Sequence, residues 1–166
     1  MHRRWRGTVR KKQEAKRRFA EELGLFVEKM GLPPMAGRIW GWLLVCDPPH
    51  QTAAELAEAV GASLGAISTM MRLLMQFGLV ERIGLPEQRS RSYRLTSGGC
   101  THLVKARIRQ IAEFRAMAER GLELLKGEPA AVRRRLKEYR DFYAFFEKEF
   151  PALVTKWEKA GKGTMS

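Results

Sequence analysis

Ala53 to Met75 reads A-A-E-L-A-E-A-V-G-A-S-L-G-A-I-S-T-M-M-R-L-L-M, and the fold turns on how this stretch is parsed. It divides into two short helices joined by a tight turn. Leu56 and Val60 lie on one face of the first. Gly61 stands where the chain must turn, and glycine takes a positive φ at little steric cost. Ser63 is placed to cap the second helix. There Leu64, Ile67, Met71 and Leu74 fall on one stripe that is expected to be buried. Gly65, Ser68, Thr69, Arg72 and Gln76 fall on the opposite face. That face is small and hydroxylated at its start and carries a cation one turn later, which suits a helix entering the DNA major groove. Small Ala57, four residues before Gly61, permits a close crossing, and Ile67 lies six after it. The spacing matches a helix-turn-helix, with an ordinary helical hairpin as the alternative.

Immediately upstream, Thr52-Ala53-Ala54-Glu55 is a capping box that fixes where the first of these helices begins. His50-Gln51 is readable as a short strand, and Asp47-Pro48-Pro49 breaks whatever helix precedes it. Residues 34–46 are strongly apolar and predict a helix, with Trp40 and Trp42 in the core and Gly37 and Gly41 allowing another helix to approach. Gly31 ends an earlier helix, expected over 13–30, in which Phe19, Leu23, Phe26 and Met30 form a narrow stripe suited to a partner helix or subunit. Ahead of it, residues 1–18 carry nine cations against the single acid Glu14. Mutual repulsion predicts that residues 1–12 form a disordered basic arm. Arg3, Arg4, Arg10, Lys11 and Lys12 are then candidates to lie along phosphates or in a minor groove. A solubilising tail or a vector remnant is the alternative.

Downstream, Phe77-Gly78 stops the second helix, and residues 79–85 and 91–95 read as two short strands around the polar turn Pro86–Ser90. Ile83 and Leu85 are expected to share a face with Tyr93 and Leu95. A hairpin in this position is a wing, and Arg89, Arg91 and Arg94 on it are candidate contacts to phosphates or a flanking minor groove. A plain surface hairpin is the alternative.

The rest is helical. Thr96-Ser97 caps a helix expected over about 97–126, with Val104, Ile108, Ile111, Ala118, Leu122 and Leu125 as its apolar stripe. After Gly127 and Pro129 a second helix carries Val132, Leu136, Tyr139, Tyr143, Phe146 and Phe150 at alternating spacings of four and three, a heptad seam. Leu136, Tyr139, Tyr143, Phe146 and Phe150, with Phe19, Leu23, Phe26 and Met30, are the candidate dimerisation residues. Pro151 is expected to kink or break this helix, leaving Leu153 and Trp157 on a short last segment and a disordered tail from 161 to 166.

A net charge of +13 over 166 residues points to nucleic acid first and an anionic membrane surface second. No apolar run approaches the ~20 residues of a membrane span, and the basic N-terminus lacks the apolar run of a secretory signal. Cys46 and Cys100 give no disulfide framework, which predicts a cytoplasmic chain with reduced thiols. His2, His50 and His102 show no metal-ligand spacing, no phosphate-cradling glycine loop appears, and no catalytic constellation emerges, so neither a metal, a cofactor nor an enzymatic activity is expected.

G-L-P-P-M-A-G-R-I-W-G-W-L-L (31–44), T-A-A-E-L-A-E-A-V-G-A-S-L-G-A-I-S-T-M-M-R-L-L (52–74) and G-L-V-E-R-I (78–83) together resemble the GbsR-like branch of the MarR-type winged-helix regulators. R-S-Y-R-L-T (91–96) is similar to the end of that family's wing. Beyond 97 only the helical layout is similar. The resemblance implies a homodimeric transcription regulator, often a repressor, on a palindromic operator. It places recognition at Ser63, Gly65, Ser68, Thr69 and Arg72, with Arg89 and Arg91 on the wing. Some relatives respond to choline-like osmolytes, which makes the rings of Tyr139, Phe142, Tyr143, Phe145, Phe146 and Phe150, and of Trp40 and Trp42, candidates for cation–π binding of a small effector. Core and dimer packing is the alternative use of these rings.

The expected fold is therefore mostly α with a small β-hairpin wing: a basic arm (1–12), an N-terminal helix plus winged helix-turn-helix (13–96), and C-terminal dimerisation helices (97–160). The expected function is sequence-specific binding of double-stranded DNA as a homodimer, with promoter occlusion as the mechanism. The alternative is an RNA- or nucleoid-binding protein without sequence preference, for which the charge argues equally well and the polar recognition face does not. A protein–protein adaptor would account for the aromatic seam and leave the cations unexplained.

Overall fold

The computed structural model describes residues 2–86 and 90–161, residues 2–9 and 161 by their backbone alone. Nine elements follow in order: α1 (His2–Glu28), α2 (Pro34–Val45), β1 (Gln51–Thr52), α3 (Ala53–Val60), α4 (Leu64–Gln76), β2 (Val80–Ile83), β3 (Ser92–Leu95), α5 (Gly99–Leu124) and α6 (Ala130–Gly161). They divide into two compact units, residues 1–99 and 100–166.

In the first unit α2 is the central post. Ile39, Trp42 and Leu43 on it are buried, as are Leu56 of α3 and Ile67, Met71 and Leu74 of α4. α1 crosses α2 through small residues. A side chain on Gly37 would place its Cβ 2.4 Å from Val27 Cγ2 and 2.8 Å from Gly24 Cα, closer than any real contact. Among the described side chains of α1, Ala20 and Val27 are buried, whereas Phe19, Phe26 and Met30 of the expected stripe face solvent and Leu23 is half-buried. The face turned to α2 is the small one because only small residues let two backbones come this close.

α1 also begins at His2, inside the stretch expected to be a disordered arm. Arg, Lys, Gln and Ala are good helix formers, and adding turns to an existing helix is far easier than nucleating one.

The three strands form one antiparallel sheet in the order β1-β3-β2. Gln51 pairs with Tyr93, and Val80, Glu81, Arg82 and Ile83 pair with Leu95, Arg94, Tyr93 and Ser92 respectively. Ile83 therefore lies opposite Ser92 and shares no face with Tyr93, contrary to the sequence expectation. A one-residue change of register moves every side chain to the other face, and Val80 rather than Ile83 is the residue that this register buries.

The second unit is an α-hairpin. Phe114 of α5 stacks on Tyr143 of α6 with ring centroids 4.3 Å apart. Arg115 pairs with both Glu147 and Glu119, and Lys105 with Glu158 at 2.6 Å. α6 runs through Pro151 without a break, the stronger of the two effects, kink or break, expected there. The helix on either side is held by Arg115–Glu147 before the proline and by Lys105–Glu158 and buried Val154 after it. Proline removes one backbone hydrogen bond, and these contacts hold α6 to α5 on both sides of that gap.

Candidate nucleic-acid interface

The turn between α3 and α4 is built by its caps. Thr52 Oγ1 accepts from the Glu55 amide at 3.2 Å, and Glu55 Oε2 accepts from the Thr52 amide at 2.7 Å, a complete capping box. The Thr52 amide and hydroxyl both donate to the Glu55 carboxylate, favour its charged form and hold it below the usual carboxylate range. α3 ends at Gly61, whose φ of +66° is left-handed and suits glycine. Ser63 Oγ then accepts from the Ala66 amide at 3.2 Å and starts α4. Two caps and one glycine thus set the direction of α4.

Below α4, Trp42 is buried and its indole N–H donates to Gln51 Oε1 at 3.4 Å. Gln51 Nε2 in turn donates to the His50 carbonyl at 2.9 Å. Trp42 is thereby committed to holding the start of the sheet against α2 and is a core residue; Trp40 is half-buried.

Above, Ser63, Gly65, Ser68, Thr69, Arg72 and Gln76 are all exposed. Ser63 is occupied by its cap, and the Thr69 hydroxyl donates to the Gly65 carbonyl at 3.1 Å, which leaves the threonine methyl and the oxygen's lone pairs on the surface. Gly65 has open space above it: a Cβ added there would have Ser63 Oγ, 4.0 Å away, as its nearest neighbour. Leu64 departs from the sequence expectation, being 59% exposed rather than part of the buried stripe. It occupies the first turn of α4, and burial begins one turn later, at Ile67.

On the hairpin, Arg91 is exposed. Arg94 is exposed as well, but its Nε lies 2.7 Å from Glu81 Oε1 directly across the ladder. A phosphate contact by Arg94 would compete with that pair. Arg89 lies outside the described residues. Arg82, on β2, is a further hairpin cation that the sequence reading passed over, exposed between half-buried neighbours; its place one residue from Glu81 in an alternating strand is the signal that points to it. Of the N-terminal candidates, Arg10, Lys11 and Lys12 lie on exposed turns of α1, Arg10 within 3.5 Å of Glu14. Arg3 and Arg4 are on the same helix, described by backbone alone.

The candidate dimerisation residues separate by unit. Phe19 and Phe26 on α1 and Met30 in the turn just after it form an exposed apolar strip. On α6, Tyr139 is exposed, while Leu136, Tyr143, Phe146 and Phe150 are half-buried. The last two stack at 4.9 Å and, with Ile111, Phe114 and Phe142, line an open groove of about 460 Å³. Among the described residues no cluster of His, Cys, Asp and Glu is arranged to hold a metal ion, and no helix is long and apolar enough to cross a membrane.

These features have close parallels in known proteins. HTH-type transcriptional regulator MmpR5 of Mycobacterium tuberculosis is 43% identical over 129 residues, which cover 78% of this chain and 78% of that protein. The chain belongs to the MarR family of transcriptional regulators. Within it, the model of MmpR5-like MarR family transcriptional regulators matches residues 98–160. A crystal structure of a transcriptional regulator, 38% identical, superposes with a TM-score of 0.77 over 87% of this chain and 99% of that one. The winged-helix, mostly helical fold expected from sequence is therefore shown, and this MarR-family regulator is a DNA-binding protein of a non-enzyme family. The family match falls on the hairpin of α5 and α6, the part in which the sequence reading found only a helical layout.

Proposed function

We propose that this MarR-family regulator represses transcription by occupying a palindromic operator as a homodimer, with α4 in the major groove and the β2–β3 hairpin beside it. The observation that carries this reading is the bare polar face of α4: Gly65, Ser68, Thr69, Arg72 and Gln76 are exposed on a helix whose other face is sealed by Ile67, Met71 and Leu74. Hydroxyls and an arginine at this spacing match the donor and acceptor pattern of base edges. Arg91, with Arg89 and Arg94, is assigned to flanking phosphates, and the cations of the first turns of α1 to sequence-independent phosphate contact. Two-fold pairing is supported by the apolar strips left exposed on α1 and α6, and it sets the two recognition helices about one DNA turn, roughly 34–36 Å, apart. An effector would act by favouring one spacing of these helices over another. The finer placement in the GbsR-like branch rests on residues 31–44, 52–74 and 78–83, whereas the matched sub-family is MmpR5-like.

Selection of bound fragments from random DNA tests the reading. The expected result is an enriched inverted repeat. Arg72→Ala should then weaken binding to it by roughly 1–3 kcal/mol while sparing affinity for random DNA. Removing residues 2–12 should weaken binding to every sequence and lower the log–log salt slope by about 0.9 for each phosphate that the shortened protein no longer neutralises. No enriched sequence, or equal losses on selected and random DNA with Arg72→Ala, would leave a non-specific nucleic-acid binder.

A further inference from the structure

We propose that Leu64 is a specificity-determining residue that reads the C5 methyl group of a thymine. The inference rests on the reading of α4 as the recognition helix and adds to it a base that the polar residues cannot identify.

Leu64 is the first residue of α4, directly after the Ser63 cap. The N-terminal residues of a recognition helix are the ones that meet base edges. Helical spacing puts Leu64, Ser68 and Arg72 at i, i+4 and i+8, a single ladder up the helix. Ser68 and Arg72 are exposed, and Leu64 is 59% exposed beside them. Its neighbours are short: Gly65 has no side chain, and the hydroxyl of Ser63 is turned to the backbone of Ala66. Leu64 is thus the one bulky apolar group described at this end of the face.

An exposed leucine is ordinary on a protein surface. Its location gives it meaning. In the major groove the thymine methyl is the apolar feature of the base edges, and apolar side chains contact it. Serine and arginine read donors and acceptors, and the methyl is neither; the exposed Thr69 offers a methyl of its own, but a smaller apolar group than the isobutyl of Leu64 and further from the start of the helix. An isobutyl group at the tip of the helix, flanked by a glycine that lets the backbone come close, is the shape that fits against it.

Replacing single thymines by deoxyuridine in the selected DNA removes that methyl and nothing else. With the wild-type protein, one thymine position per half-site should lose about fourfold in affinity, which is about 0.8 kcal/mol for one methyl-sized group. Leu64→Ala should bind the thymine and uracil versions of that site equally, while Arg72→Ala keeps the fourfold difference. Leu64 is exposed, so the alanine variant should melt within a few degrees of wild type. Wild-type protein indifferent to every thymine-to-uracil change, or Leu64→Ala retaining the difference, overturns the proposal and leaves the α4 reading standing. Failure to recover any preferred sequence overturns both.

Discussion

The two units hide their apolar side chains to very different extents. In residues 1–99, Ile39, Leu56, Ile67 and Met71 are at 1% exposure or less, drawn from three helices that close around one another. Among the described residues from 100 onward, Ala118 and Val154 are the buried apolar ones, while Tyr139, Phe142, Phe145, Leu153 and Trp157 each stand more than half exposed. Two helices alone can cover one stripe on each other, and α5 and α6 carry more apolar surface than one stripe. The winged unit closes a core of its own, with the strip on α1, Leu44 and Leu64 among the apolar side chains it leaves exposed. The hairpin of α5 and α6 does not, and its bare surface is aromatic where that of α4 is polar. A polar bare face suits a polyanion in water; an aromatic one suits protein. This is the physical ground for assigning DNA to the first unit and a second copy of the chain to the second.

The largest effect should come from the hairpin. Tyr139→Asp with Phe142→Asp changes two rings that are each 57% exposed in the single chain, and a circular dichroism spectrum with wild-type helix content should show that the hairpin still folds. A second copy packed on them would have to bury both carboxylates. Truncating a buried aromatic already costs about 3–5 kcal/mol, and an unpaired buried charge adds to that. Light scattering at micromolar concentration should show a dimer for wild type and a monomer for the variant. A wild-type monomer, or a variant that stays dimeric, would remove the contrast between the units.

A smaller effect, confined to folding, is expected from Gly37→Ala. Its new methyl would meet Val27 Cγ2 at 2.4 Å and the α1 backbone, at Gly24 Cα and the Leu23 carbonyl oxygen, at 2.8 Å. Backbone cannot swing aside as a side-chain tip can, so α1 must move off α2. Overpacking of this kind costs about 1–3 kcal/mol. Urea titration should show a lower midpoint at unchanged assembly state, the reverse of the hairpin variant. An unchanged midpoint would mean that the winged unit is looser than its burial implies.

What could be read from sequence follows the same division. Residues 52–76 were legible because their signals are local: a capping box, a glycine in a left-handed turn and a serine cap act within four residues. Leu64 was misread because periodicity gives the angle of a side chain on its helix and says nothing about whether a neighbour reaches that turn. The face that α1 turns to α2 was passed over for a related reason. A search for large apolar residues passes over Ala20 and Gly24, although small residues are what a close helix crossing requires. The wing register was missed because a one-residue slip depends on how β3 pairs with both β1 and β2, a tertiary fact. The family match on 98–160 carries information about which residues stand on the hairpin, and helix spacing alone does not hold it.

The smallest effect probes the winged unit at its most local point, the capping box. Thr52→Ala removes the acceptor of the Glu55 amide, and N-cap losses of this kind cost about 0.5–2 kcal/mol. Glu55 adds a pH signature. Its carboxylate is held below the usual range because the Thr52 amide, first, and the Thr52 hydroxyl, second, donate to the charged form. A carboxyl whose folded value lies below its unfolded value stabilises the fold above the unfolded value. That contribution fades as the pH falls through the lowered, folded value. Glu55→Gln cannot carry the charge, so it should melt below wild type near neutral pH and approach it as the pH is lowered past the ordinary carboxylate value and through the lowered, folded one. The readout is the difference in melting temperature between the two proteins at each pH, because other carboxylates titrate in both and cancel. A difference that stays constant from neutral to acid pH would show that the Glu55 side chain contributes there through its shape and not through its charge.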